Sequence, residues 1–458
     1  MATFGATQTL AAADTALPGR RVGIIGGGFG GLAAGWELSR AGYIVDVFEA
    51  RNRFGGRVHT VDRFAPNRMA EFGAEFIGGN HPLWLRLAER FGIELESLAD
   101  DDKPTEVVMD GHRYSGDEAR ALAQEVEVGH AELAHDAALA NWGKPWESPD
   151  AEKFDRMSLK ERIDQMETTP HAKRAIFIEF LHDMACDPEK MNYLALMCVI
   201  KGHGVEKYWT ETEMFRARHG NQILASHLAA GISGRIHLDC PVVRIDQNEQ
   251  GCKLTLRDGR TFDYPDIVIS VPPSVWNDIE FTPGLPVGFS PQMGSATKFL
   301  SVVKNAYWLP DGETDVMTDS PLGMTWEGAS SDKTDERLLV SFAGGTIADD
   351  LHSRPFARRE GFLDNEFNQL LPGFQANHIK SEFVDWIGDQ FMKGGYSFPL
   401  PGAFLSQARI LNDGLGRLHF AGEHASFGFF GFMEGGLHSG FQAAHRLMRR
   451  DNIAIPEV

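Results

Sequence analysis

No part of this chain restricts its fold more than Gly26-Gly-Gly-Phe-Gly-Gly31. An apolar segment at 21–25 reads as a short strand ahead of it, and 32–40 has helix-forming composition behind it. Gly42 stops that helix, and 43–48 returns as a β-branched and aromatic strand ending at Glu49. A strand, helix and strand within about thirty residues form a parallel crossover unit. In that setting the spacing Gly26-x-Gly28-x-x-Gly31 is the fingerprint of a dinucleotide site. Gly26 permits the tight turn, Gly28 lets the backbone approach a diphosphate, and Gly31 lets helix and strand pack closely. Phe29 and Gly30 complete the turn, where the helix N-terminus offers unpaired N–H donors and a positive dipole end. Glu49 is placed to accept hydrogen bonds from ribose hydroxyls.

Helical pattern or composition covers 83–91, 117–142, 172–185, 192–201 and 221–230. Ser158-Leu-Lys-Glu161 is a capping box, and Pro170 sits where a first-turn proline is tolerated. Strands are expected at 242–245, 266–271, 298–304 and 338–342, and 252–256 with 261–263 forms a hairpin about Asp258-Gly259. Another helix is expected around 358–371. The chain closes on a strand at 418–421, a glycine-rich turn, and a helix with Leu437, Phe441, Ala444 and Met448 on one face.

Parallel-type pieces therefore stand at the start, middle and end, with a helical block and a strand-rich block between them. The fold class expected is α/β with α+β: a Rossmann-like nucleotide domain interleaved with a substrate domain containing a mixed sheet and a helical block. The boundaries read as a flexible arm at 1–19, the nucleotide domain at 20–81, 215–290 and 396–450, the substrate domain at 82–214 and 291–395, and a tail at 451–458. A chain of 458 residues exceeds what one core usually organises.

Charge and cysteine usage narrow the partners. Asp plus Glu (64) exceed Lys plus Arg (44), for a net charge of −20. That argues against nucleic acid and against a polybasic membrane surface. Cys186, Cys198, Cys240 and Cys252 form no Cys-x-x-Cys pair, and no histidine cluster accompanies them at metal spacing. Reduced buried thiols, no metal site and a cytoplasmic location are expected. The first Lys or Arg is Arg20, so the start lacks the charged region of a secretory signal. No run approaches the roughly 18 apolar residues that cross a bilayer, so no membrane anchor is expected. Gly-x-Ser-x-Gly, His-Glu-x-x-His and Gly-Lys-Ser/Thr signatures are missing from the sequence.

After Glu49, Ala50-Arg-Asn-Arg-Phe-Gly-Gly-Arg57 resembles the second glycine motif of the flavin-containing amine oxidase superfamily, the monoamine oxidase and L-amino-acid oxidase-like flavoproteins. The resemblance implies that Ala50, Arg51, Gly55, Gly56 and Arg57 belong to an FAD site, with the arginines on diphosphate or ribose. Met69-Ala-Glu-Phe-Gly-Ala-Glu-Phe-Ile-Gly78 resembles the segment beneath the isoalloxazine, which implicates Gly73, Ala74, Glu75 and Phe76. Pro241-Val-Val-Arg-Ile-Asp246 resembles the strand whose Val242 backbone brackets adenine. Val268-Ile-Ser-Val-Pro-Pro273 and Gln292-Met-Gly-Ser-Ala-Thr-Lys298 resemble two further family segments. So do Asp385-Trp386 with Gly394-Gly-Tyr396, Phe420-Ala-Gly-Glu-His424 and Gly431-Phe-Met-Glu-Gly435, the last two implicating Gly422, Glu423, Gly431, Phe432 and Met433. The pieces keep family order from about residue 20 to 448.

The resemblance also assigns roles. Lys298 would sit near flavin N5 through a water and support oxidation of reduced flavin by O2. An ammonium is costly to bury unpaired, so it needs a task or a partner. Tyr396 and Phe432 would form aromatic walls on the substrate side. The family's common pair is two tyrosines, so Phe432 removes a hydroxyl. Trp386 would pack beside the isoalloxazine or the lysine. Gly395 stands where some members carry a cysteine bonded to the flavin, which implies non-covalent FAD. The helix near Met433 would aim its N-terminus at the pyrimidine end and favour the anionic reduced form. His424 and His438 read as hydrogen-bonded structural histidines.

The implied reaction oxidises the carbon–nitrogen bond of an amine to an imine, hydrolysed to a carbonyl plus ammonia or amine, with O2 reduced to hydrogen peroxide. The implied partners are a small amine or amino acid and O2, and a homodimer stays open. An L-amino-acid oxidase, of the tryptophan or other aromatic type, is the closest rival. Phe76 replaces the arginine that such enzymes often use for the substrate carboxylate, though Arg216 or Arg218 could substitute. A flavin-dependent desaturase or dehydrogenase is a weaker alternative, and a flavin-binding protein that docks a partner without turnover is another.

Overall fold

A computed structural model of the chain describes residues 20–65, 68–98, 105–309, 313–328 and 335–457. The arm expected over 1–19 lies outside the described residues.

The strand Arg21–Ile25 is buried from its second residue onward, and so is Ile44–Phe48. Strands buried on both faces belong inside a parallel sheet covered by helices. The sheet has five strands in the order Leu418–Phe420, Asp266–Ile269, Arg21–Ile25, Ile44–Phe48 and Ile236–His237. All pairs are parallel, with Ile24 between Val268 and Val47. Its members come from the start, middle and end of the chain. The first and last helices, Phe29–Arg40 and Met433–Arg450, pack together over it at close range. A Cβ on Gly440 would stand 2.4 Å from the Gly30 carbonyl oxygen, so the helices meet backbone to backbone there.

Beside that sheet lies a four-stranded one in the order Thr261–Tyr264, Cys252–Leu256, Val242–Gln247 and Glu280–Thr282. The Asp258-Gly259 turn joins its first two strands as expected, with Gly259 at φ +87°. A seven-stranded mixed sheet carries the rest of the strand-rich block: His378–Asp385, Ala296–Val303, Arg337–Gly344, Met324–Glu327, Val316–Thr318, Glu106–Met109 and His112–Tyr114. The helical block includes Gly116–Ala137, Pro170–Asp183 and Tyr193–Gly202. Its starts follow capping chemistry. Thr169 and Asn192 side chains accept from Ala172 and Ala195 N–H, and the Ser158–Glu161 capping box forms in full. The molecule is thus a Rossmann-like sheet combined with a mixed sheet and a helical block.

Several elements differ from the sequence pattern. The first helix begins at Phe29, because Gly28 is extended (φ −78°, ψ 179°) and already serves as its N-cap. The strand His378–Asp385 carries almost no apolar alternation; it is an edge strand with one face in water, and only Phe383 is fully buried. The helix Phe404–Asp413 also escaped the pattern. All four cysteines are unpaired and buried. Among the described residues no helix is long and apolar enough to cross a membrane.

Candidate active site

A cavity of about 760 Å³ joins the glycine turn to the mixed sheet. Of the residues singled out above for cofactor or catalysis, all but Gly31 line it. Gly31 serves from behind the wall. A Cβ there would stand 2.0 Å from the Gly26 carbonyl oxygen, so no larger residue lets the turn close against the helix. Gly26 itself takes φ +101°, the left-handed region that glycine tolerates.

At the glycine-turn end, charged groups are satisfied by the protein. Glu49 accepts from the N–H of Gly27 (2.7 Å) and of Arg51 (2.9 Å), which fixes its carboxylate at the strand end. Burial raises the Glu49 carboxyl, against the pull of those two N–H groups. Arg51 pairs with Asp389 and lies over the Phe391 ring. Arg57 donates to Glu423 and to the Gly395 carbonyl, both at 2.8 Å. Glu423 also accepts from Ser397 Oγ (2.7 Å) and the Gly431 N–H (2.9 Å). Burial opposes its ionisation, yet Arg57 and these donors hold it below the usual carboxylate range. One group is left over: Ser270 Oγ is buried in the cavity wall with no partner among the described residues. A bare helix N-terminus, backbone-only walls at Gly28 and Gly56, and an unpartnered hydroxyl fit a dinucleotide diphosphate.

Midway, Lys298 is 2% exposed and makes three bonds: to Glu75 Oε2 (2.5 Å), the Glu71 carbonyl (2.8 Å) and the Gly73 carbonyl (3.2 Å). The partner that a buried ammonium requires is therefore Glu75, from the segment expected beneath the isoalloxazine. Glu75 carries more than one cation. Its Oε1 lies 2.9 Å from Arg216 Nε, off the hydrogen-bond axis, and accepts from Trp326 Nε1 at 3.1 Å. Burial would raise this carboxyl, but Lys298, Arg216 and the Trp326 bond outweigh it and hold it down. The Trp326 ring stands 5.3 Å from the ammonium, and Arg216 rests 5.1 Å from the Phe76 ring centre.

Tyr396 stacks parallel to Phe342, with centroids 6.4 Å apart and 1° between planes. Its hydroxyl donates to the Asp183 carbonyl at 2.6 Å. Phe432 is the N-cap of the last helix and packs edge-on to His81 and tilted on His203. Trp386 donates to the Phe72 carbonyl at 3.2 Å, which pins its ring in the wall. Arg218 points away, paired with Glu94 at the surface. His438 bonds Ser426 at 3.0 Å as expected of a structural histidine. His424 departs from that expectation. Neither ring nitrogen has a partner among the described residues, and burial lowers it to about 4, so it stays neutral against Trp276. Neither histidine lines the cavity.

Several groups here went unseen in the sequence. Glu434, within the closing motif, caps another helix: its oxygens accept the Leu83 and Trp84 N–H, both at 2.9 Å, at the start of Pro82–Phe91. Phe342 and Trp326 reach the cavity from neighbouring strands of the mixed sheet. At the far end the wall also holds Asp183, Glu213 and Asp315. Burial and the Glu179 and Glu213 charges push Asp183 well above the usual carboxyl range. Burial, with Glu75 beside it, pushes Glu213 up to about 7. No local spacing announces any of them.

Comparison with known proteins adds an independent line. A family model described as flavin containing amine oxidoreductase matches residues 29–448. Flavin-containing amine oxidase A of Sus scrofa is 25% identical over 455 residues, covering 93% of this chain and 84% of its own. The flavin-containing amine oxidase of Oncorhynchus mykiss is 23% identical over 452 residues, covering 93% and 85%. Among solved structures, cyclohexylamine oxidase from Brevibacterium oxydans superposes with TM-score 0.83 at 24% identity, over 95% of this chain and all of that one. Putrescine oxidase bound to putrescine superposes with TM-score 0.83 at 21% identity, over 94% and 99%.

Proposed function

Because the chain belongs to the family of flavin-containing amine oxidoreductases, we propose that it is an oxidase that turns a small amine into an imine and passes the electrons to O2. The observation that carries this reading is the single cavity that joins a dinucleotide-type glycine turn to a buried ammonium and an aromatic wall. FAD, when bound, supplies the two-electron acceptor: the α-carbon loses its C–H bond, two electrons and two protons reach O2 as hydrogen peroxide, and water splits the imine into a carbonyl and ammonia or amine.

The chain's own groups would act around it. The bare N–H groups at Phe29–Arg40 and the Ser270 hydroxyl hold the diphosphate, Glu49 the ribose, and the Val242 backbone the adenine. Gly395 offers no thiol, so the cofactor is held without a covalent bond. Tyr396 presents a π face along which an amine approaches, and burial, together with Asp183 and Glu213, keeps its hydroxyl protonated. Lys298 places a positive charge where O2 gains electrons, and Glu75 holds that charge in position. The segments 20–81, 215–290 and 396–450 serve the cofactor, and 82–214 with 291–395 the substrate. Four unpaired thiols suit a reducing compartment and support a cytoplasmic location.

An amino-acid substrate is disfavoured by one observation: Arg216, the cation nearest Phe76, is already committed to Glu75. The test is an absorbance spectrum of the purified protein, then anaerobic titration with amines and amino acids, then a peroxide assay. Flavin bleached by amines, with peroxide on admitting air, supports the reading. Bleaching by α-amino acids alone replaces it with the rival, and flavin that nothing bleaches ends it.

A further inference from the structure

Glu75 serves a second cavity. This one is small, about 20 Å³, and is lined by Glu75, Glu71, Arg216 and the apolar side chains of Leu300, Leu338 and Val340. Glu75 and Arg216 are the two residues that it shares with the cofactor cavity. Glu96 and Arg218, an exposed ion pair at 3.8 Å, form its rim, so it opens toward the surface. A space of this size holds one water, which needs about 10–15 Å³ and several polar partners. The partners are present. Arg216 Nε is buried and has no acceptor among the described residues, because its N–H points off the Glu75 oxygen 2.9 Å away. Glu71 and Glu75 are both buried and supply carboxylates. The Glu71 carboxyl accepts from Thr60 Oγ1 (2.9 Å) and the Asn221 N–H (2.7 Å), while its backbone carbonyl accepts from Lys298. Glu75 Oε2 accepts from the same ammonium. The small cavity therefore reaches, through Glu75, the one cation that the cofactor cavity keeps buried.

Amine oxidation gives such a connection a task. One C–H and one N–H bond break, and O2 gains two electrons and two protons as it becomes hydrogen peroxide. The α-carbon hydrogen accompanies the electron pair. The N–H proton is lost to solvent, and an equal one must return to oxygen. The Tyr396 hydroxyl is committed to the Asp183 carbonyl and the Trp386 N–H to the Phe72 carbonyl, so neither is free to supply it. We propose that the small cavity holds a water which, with Glu71 and Glu75, forms a proton path from the surface to Lys298 Nζ, apart from the route of the amine. A proton leaves Nζ for oxygen, and Nζ is refilled through Glu75 and the water by the Glu71 carboxyl. Glu71 regains its proton from bulk solvent at the Glu96–Arg218 rim, so the path ends each turnover unchanged. Burial raises the Glu71 carboxyl to about 7, against the Asn221 N–H and the Thr60 hydroxyl, which suits a group that takes and gives a proton at neutral pH. The charges around it are Glu75 and Lys298, with Arg216, Glu96 and Arg218 on the cavity wall. This inference rests on the amine-oxidation reading above, and its test separates the two.

The test has two readouts. A crystal structure should show an ordered water bonded to Arg216 Nε and to Glu71 or Glu75, and a site without that water overturns the path. The second uses FAD-loaded enzyme reduced by light and EDTA, without any amine, and mixed with O2 in a stopped-flow cell. Wild-type reoxidation should be slower in D2O and should slow as pH rises through about 7, where Glu71 gives up its proton. Glu71→Gln should slow it about tenfold and remove the pH step, less than the roughly 100-fold of a donor that touches the reacting atom. Flavin reduction by amine should hardly change in that variant. Val340→Ile, which adds one methylene at the cavity wall and leaves every titratable group, should act in the same direction. Reoxidation of Glu71→Gln at the wild-type rate overturns the path and leaves amine oxidation standing. The expected water and Glu71 dependence, in an enzyme whose flavin no amine reduces, sustain the path and overturn the oxidase reading instead. Circular dichroism and flavin content show that each variant folded, and if Glu71→Gln does not fold, Val340→Ile decides alone.

Discussion

The two ends of the cavity handle charge in opposite ways. At the glycine turn the protein completes its own ion pairs: Arg57 has Glu423, Arg51 has Asp389, and Glu49 has two backbone N–H groups. At the mixed sheet Asp183 and Glu213 line the cavity without such pairs among the described residues, Asp183 half-buried and Glu213 exposed. Lys298, between them, belongs to the first kind, since Glu75 and two carbonyls take its three protons. Groups that the fold satisfies internally build a rigid frame that holds a cofactor in place. Groups left open to the cavity respond instead to the charge of whatever enters it. The frame therefore determines where the chemistry happens, and the bare end determines what is admitted.

The largest effect should come from breaking the frame. Gly31→Val would force a Cβ to within 2.0 Å of the Gly26 carbonyl oxygen, which is backbone and has no room to retreat. The expected cost is about 3 kcal/mol or more, the upper part of the overpacking range. Purified Gly31→Val should be colourless and unfold at lower urea, and a yellow variant of normal stability would show that the turn tolerates what the geometry forbids. Next comes Lys298→Met. Glu75 keeps Arg216 and Trp326, so the frame survives, but the positive charge is gone. Flavin reoxidation by O2 should slow about 100-fold, the scale of one lost preorganised electrostatic contact. Flavin reduction by amine should slow far less. Stopped-flow traces with and without oxygen separate the two, and unchanged reoxidation removes the role given to Lys298.

The same division explains what the sequence disclosed. The glycine turn and Glu49 were legible because they sit in a local spacing that dinucleotide binding requires, whereas Lys298 and Tyr396 were legible only through the resemblance of their segments to the family. The parallel strands were legible because burial on both faces writes a continuous apolar run. The bare end was not. Asp183 comes from a helix end, Glu213 from a short irregular turn and Phe342 from a strand, and only tertiary packing brings them to one wall. The strand His378–Asp385 stayed hidden because an edge strand exposed on one face has polar composition. Glu75 is the intermediate case. Its position was singled out, yet its partner lies 223 residues away, and nothing in either segment announces the pair. The rule that a buried ammonium needs a carboxylate could have prompted a search for one.

A smaller effect tests how tightly the frame closes. Gly395 lacks a thiol, but it also lacks space: a Cβ there would meet the Ala296 Cβ at 2.6 Å. Gly395→Cys should cost about 2 kcal/mol as an overpacked site, and its flavin should still be released on acid precipitation. The double variant Gly395→Cys with Ala296→Gly should recover the lost stability in urea unfolding. Flavin that stays with the precipitated single variant would mean the wall yields more than its backbone suggests.

The smallest effect probes the bare end by pH. Burial, with Glu75 beside it, raises the Glu213 carboxyl to about 7. Below that pH it is neutral and offers a cation little; above it the carboxylate is formed and attracts. Affinity for a cation must therefore rise with pH through about 7 and then level off, since protons leaving Glu213 favour the bound state. The other charges facing it are Glu75, Arg216 and Asp315, with Asp183 under its influence. Burial, with Glu313 beside it, raises Asp315 as well. Glu75 stays ionised, held down by Lys298 and Arg216, and does not titrate in this window. A four-carbon bis(trimethylammonium) ion isolates the effect, because its own charge is fixed and it cannot be oxidised as a neutral amine. Its binding, read by perturbation of the flavin spectrum, should tighten about tenfold between pH 6 and pH 8, as expected for one carboxyl of this pKa. Glu213→Gln should flatten most of that slope. A wild-type enzyme that binds the ion equally at both pH values would place Glu213 among the groups already satisfied, and the contrast between the two ends would disappear.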